Sequence, residues 1–124
     1  RGEHQAVAPP QLQETLRQIL GDEVRHARFG WMVLRELSPL LSDALKRRLA
    51  EYLVTAFHHL REHELAHLPT GHTPSPEEEA VGVCDGKDAR TLFFETVHEV
   101  IIPGLEEHGI AAQRAWDTSL RLPV

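Results

Sequence analysis

The chain predicts an all-α fold, a helical bundle with about three long helices. Apolar residues recur at alternating four- and three-residue steps over long stretches, the repeat of one helical face. No segment shows the two-residue alternation of a half-buried strand. Prolines and glycines gather between the periodic stretches, where helices would stop.

Residues 1–8 are polar and without period, so they read as a lead-in to the first helix. Pro9-Pro10 open that helix, since proline is tolerated in the first turn. It should run from about Pro10 to Leu37. Its seam reads Leu12, Leu16, Ile19, Glu23, His26, Gly30, Val33, Leu37. Beside it runs a second stripe: Leu20, Val24, Ala27, Trp31, Leu34. Two adjacent stripes make a wide apolar face, as expected of a helix packed inside a bundle. Gln18, Asp22, Arg25, Arg28, Met32 and Arg35 form the outer side.

Ser38-Pro39 should break this helix and start another, with Ser38 as N-cap and Pro39 in the first turn. The second helix should reach about Leu68 and bury Leu41, Leu45, Leu49, Leu53, Phe57 and Leu60. Pro69 and Gly71 should end it, so residues 9–68 form a helical hairpin. Residues 69–87 form the connection. Within them Ser75-Pro76-Glu77-Glu78 is a capping-box pattern that can seed one short turn. A C-terminal helix should occupy 88–119, facing the core with Ala89, Phe93, Val97, Val100, Gly104, Leu105, Ala112 and Ala115. Pro103 removes a backbone donor inside that pattern, so a kink or break is expected there. His108, Trp31 and Trp116 read as partly or wholly buried anchors.

Composition narrows the function. A chain of 124 residues, 41% hydrophobic and 26% charged, suits one domain with one core. A formal charge of −6 disfavours a phosphate-backbone binder, so no nucleic-acid partner is expected. Stretches such as 52–57 and 100–105 are too short to cross a bilayer, so no membrane partner is expected. No signal-peptide pattern opens the chain. The single Cys84 excludes an internal disulfide framework and leans towards a cytoplasmic protein. It has no nearby base, so it does not read as a nucleophile.

The motif with the most chemistry is Asp22-Glu23-Val24-Arg25-His26. Glu23 and His26 are three apart, so they lie one turn apart on one helical face. A carboxylate and an imidazole so placed can share a metal ion. Both occupy the apolar seam, where an unpaired carboxylate would cost several kcal/mol. A cation, a donor network or a proton must offset that cost. An ordinary hydrogen bond between the two side chains at a wet interface is the plain alternative.

The stretch Ile19-Leu20-Gly21-Asp22-Glu23-Val24-Arg25-His26-Ala27-Arg28-Phe29-Gly30-Trp31 resembles the last metal-ligand helix of bacterial ferritin-like domain proteins. The run from Gly82-Val83-Cys84-Asp85-Gly86 through Val100-Ile101-Ile102-Pro103-Gly104-Leu105 and Gly109 resembles the tail of such proteins, with less specificity. The resemblance implies a ferritin-like bundle with Glu23 and His26 as metal ligands, and a di-iron carboxylate centre that binds and reduces dioxygen. It also implies that this chain corresponds to the C-terminal half of such a domain. The family's remaining ligands, a Glu, a Glu-x-x-His and another Glu, come from preceding helices. Here they would come from a missing N-terminal half, from a second helical chain, or not at all. A homo-oligomer could bring two Glu-x-x-His motifs together. Mixed oxygen and imidazole donors suit iron, manganese or zinc.

Two other patterns compete. His63-Glu64-Leu65-Ala66-His67 matches the His-Glu-x-x-His pattern of zinc hydrolases, in which two histidines hold zinc and the glutamate activates water. Against it, the segment closes a helix before Pro69, and Gly71 and His72 each miss the extended pattern by one residue. His59, His63 and His67 form a row at four-residue steps, where the plain reading is a solvated helix end. Glu95 and His98 read as a surface pair. The sequence thus leaves three readings. One is a ferritin-like metal-associated protein, part of an iron-binding protein or oxidoreductase. The second is a structural or interaction helical module without a working metal site, and the third a zinc hydrolase.

Overall fold

The computed structural model describes residues 9–66, 73–80 and 86–123. Most of these residues are helical, and they contain no strand. The lead-in 1–8, His67, Pro69, Gly71 and Cys84 lie outside the described residues.

Helix α1 spans Pro10–Leu37, the bounds the seam predicts. Proline in its first turn sacrifices a donor that would be unpaired anyway. Ion pairs between Arg17 and Glu14 (2.8 Å) and between Arg25 and Asp22 (2.9 Å) support its exposed side. Such pairs contribute about 0.3–0.5 kcal/mol each. None of its 28 residues is buried. The expectation of a helix packed on its wide apolar face is therefore corrected within one copy of the chain. Its C-terminal end is fastened to the rest of the described residues. The Trp31 ring lies against Gly104, and Ser38 Oγ is 3.2 Å from His108 Nδ1.

The second helix begins later than its sequence suggests. Ser38–Leu40 form a single 3-10 turn, and Leu41 is extended. α2 spans Asp43–Ala66. Its cap is Ser42, whose hydroxyl accepts the Leu45 amide at 3.1 Å. Ser38 does not serve as that cap because its hydroxyl is buried against His108.

α3 spans Pro76–Ala80 and is the short helix of the capping box. The Glu78 amide donates to Ser75 Oγ at 3.2 Å, and the Ser75 amide donates to Glu78 Oε1 at 3.3 Å.

The last long helix is divided. α4 covers Gly86–Thr96, a π-helical turn Val97–Ile101, α5 Ile102–Glu107 and α6 Ala112–Ser119. The expected kink at Pro103 takes a different form. The Ile102 amide bonds to Val97 O, five residues back. The wider turn accommodates a proline that cannot donate, and the helix passes through it. The chain breaks instead at Gly109, whose φ is +83°. There Ile110 N–H donates to Leu105 O (3.2 Å) and Gly109 N–H to Glu106 O (2.9 Å), a Schellman closure. Glu106 Oε1 then accepts the Gln113 amide at 3.0 Å, serving the start of α6.

The core sits between α2, α6 and the π-helical turn. It consists of Phe57, Val97, Ile102, Ala112, Ala115 and Trp116, with Leu53, Val54, Phe93, Phe94, Ile101 and Leu105 around it. Trp116 is its centre. Phe57 and Phe94 meet its ring edge-on at 5.4 and 6.3 Å, and the His98 ring does so at 5.4 Å. Arg90 Nη2 donates to Leu65 O at 3.0 Å, which ties α4 to the end of α2. No helix among the described residues is long and apolar enough to cross a membrane.

Candidate metal centre

Glu23 and His26 sit in the middle of α1, one turn apart, as their spacing requires. Both are exposed, so the expectation that one copy buries them is corrected. The physical reason is that this part of α1 has no buried residue and holds its seam in the open. Their neighbours along the seam are open as well: Ile19 is 53% and Leu20 65% exposed. Glu23 and His26 are thus a polar pair in the middle of an uncovered apolar stripe. Asp22 and Arg25 are tied to each other on the outer side of the helix.

A pair of irons takes four or more carboxylate and imidazole donors. Among the described residues no three His, Cys, Asp or Glu side chains come together in a metal-binding group. Among the described residues of one copy, Glu23 and His26 alone therefore do not fit a di-iron centre.

The rival motif is split. His63 is exposed in the last turn of α2, Glu64 is half-buried beside it, and His67 lies outside the described residues. His59 is also exposed. Of the other histidines, His108 behaves as expected, half-buried and bonded to Ser38. His98 is not merely a surface partner of Glu95, because its ring meets Trp116.

Sequence reasoning missed Arg61. It lies one turn after Phe57, so the buried side of α2 runs through it; that spacing was the available signal. Arg61 is only 7% exposed. Its Nη2 donates to Ser119 O at 3.2 Å, and its guanidinium lies 5.8 Å from the Trp116 ring centroid. Nη1 is buried without a hydrogen-bond partner. Because that unpaired donor is costly, Arg61→Met should leave the unfolding midpoint unchanged or raise it. Arg61→Ala should lower it through lost packing on Trp116. Urea titration of both variants compares the two effects; a Met variant as weak as the Ala variant would make the guanidinium itself the stabilising group.

A groove of about 520 Å³ opens between α2 and α6. It mixes Lys46, Arg47 and Arg114 with Asp43 and Glu51, and is lined by none of the candidate metal ligands Glu23, His26 or His63. No protein-family model, curated protein or solved structure matches this chain.

Proposed function

We propose that this chain is a ferritin-like, metal-associated helical protein whose Glu23 and His26 become ligands once other helices cover α1. In this reading it forms part of an iron-binding protein or a di-iron carboxylate oxidoreductase. The covering helices come from an N-terminal half of the domain or from a second chain. One observation carries the reading: α1 leaves a continuous apolar seam open, and its only two polar members are a carboxylate and an imidazole one turn apart. Such a stripe is stable against another helix, and the polar pair is then stable only if satisfied there.

Elemental analysis of the purified protein tests it. Iron, manganese or zinc should copurify, and Glu23→Ala or His26→Ala should lose most of it. Both side chains are exposed, so helical circular dichroism should stay the same in these variants. Unchanged metal content in both variants would remove the metal-binding role. Zinc lost only in His63→Ala and His67→Ala, with peptidase activity in the parent, would favour the hydrolase instead.

A second reading is an interaction module without a working metal site. It is favoured by the large apolar side chains that α1 exposes, Ile19 at 53% and Leu20 at 65% among them. Association without any metal dependence on Glu23 or His26 would select it.

A further inference from the structure

The seam of α1 has a symmetry that points to what covers it. We infer that two copies of this chain pair through α1, antiparallel, about a two-fold axis between Val24 and Arg25. This rests on the reading that the seam is covered, and names its cover.

The seam positions are spaced four, three, four, three, four, three, four, so they read the same from either end. An antiparallel partner can therefore match all eight at once. In this register Leu12 lies opposite the partner's Leu37, Leu16 opposite the partner's Val33, and Ile19 opposite the partner's Gly30. Glu23 lies opposite the partner's His26, twice by symmetry.

Any heptad-like seam also permits shifted registers, but charge selects among them. A shift of one heptad towards the N-terminus sets Glu23 against the partner's Ile19 and His26 against the partner's Leu16. A shift the other way sets Glu23 against the partner's Val33. Each buries an unpaired carboxylate among apolar groups. A parallel pair sets Glu23 against the partner's Glu23, which is worse. Only the central antiparallel register uses the whole seam and gives each carboxylate an imidazole. A single polar layer fixing the alignment of an otherwise apolar helix pair is a known use of such residues.

The structure leaves this surface free. Leu16, Ile19, Leu20 and Val24 are all more than two-fifths exposed, and the described body of the molecule meets α1 near Trp31 and Ser38. The second stripe widens the contact, bringing Leu20 near the partner's Ala27. The pairing assembles two carboxylates and two imidazoles at one level, which the described residues of a single copy do not.

Light scattering and electron-spin distances on the full chain test this. The wild type should have twice the 14.0 kDa chain mass. Ile19→Lys should return it to one chain mass while leaving the near-ultraviolet signal of Trp116 intact, because α1 contributes nothing to that core. Nitroxides on Gln18→Cys and Arg35→Cys, in a Cys84→Ser background, should lie about 20 and about 32 Å apart along the helix axis. Parallel pairing would give equal, short separations at both sites and would overturn the inference. A monomeric wild type would overturn it too. If that monomer still carried metal that Glu23→Ala removes, the pairing would fall while the metal-ligand reading stood.

Discussion

Trp116→Ala is expected to lower the stability of the protein by about 3–5 kcal/mol, a large share of the about 5–15 kcal/mol that holds a domain folded. Trp116 is 2% exposed and is in ring contact with Phe57, Phe94 and His98 together. Arg61 also lies over it. Deleting the indole empties the space between α2 and α6, and neighbours fixed by four separate contacts cannot all collapse into it. Urea unfolding followed at 222 nm measures the change. Tyr52→Ala is the control: that side chain is 69% exposed on α2 and outside the α1 seam, so its loss should shift stability by no more than about 0.5 kcal/mol. If the two variants were equally stable, the core would not be where the structure puts it.

Gly104→Ala should detach α1 from the rest of the molecule. A Cβ at Gly104 would lie 2.5 and 2.7 Å from ring atoms of Trp31, well inside contact distance. Two effects oppose each other. Alanine favours the helix over glycine by about 1 kcal/mol. Overpacking against a rigid indole costs about 1–3 kcal/mol. The second wins, because the ring is one of the few anchors that α1 possesses. Trp31 fluorescence should shift to the red as the ring moves into water. With Trp31→Ala already in place, Gly104→Ala should instead stabilise by about 1 kcal/mol. A double-mutant cycle therefore reads the contact directly. The same sign in both backgrounds would mean that Trp31 does not rest on Gly104.

These two positions show how differently the chain's parts were legible. The bounds of α1 followed from Pro9-Pro10 at one end and Ser38-Pro39 at the other, because proline acts on its own backbone and its immediate neighbours. The capping box at Ser75 and Glu78 was legible for the same reason: both partners lie within one turn. Pro103 was read correctly as a disturbance but not in its form. Whether a proline breaks a helix or shifts it to a wider turn depends on the packing on either side, and Val97 and Ile102 are both buried in the core. Ser38 illustrates the same limit. As a cap it competes with a histidine seventy positions away, and no local pattern announces that partner.

The candidate site was legible as chemistry and not as environment. Spacing alone put Glu23 and His26 on one face, since the helical repeat is a property of the backbone. Their burial was inferred from the company they keep along the seam, and that inference failed within one copy. A seam states which face wants a neighbour; it does not say whether the neighbour belongs to the same copy. Arg61 failed in the opposite direction. Its charge suggests the surface, yet the carbonyl of Ser119 and the face of Trp116 give it a place in the interior.

By itself, then, the sequence determined the helical class, the extent of α1, the capping box at Ser75 and the pairing of a carboxylate with an imidazole one turn apart. All of these depend on interactions within a few residues. Only the tertiary structure decided that Trp116 is the centre of the core, that Pro103 is bridged while Gly109 breaks the chain, and that α1 stands with its apolar face uncovered. Burial is a property of what packs across the fold, and distant parts of the chain set it.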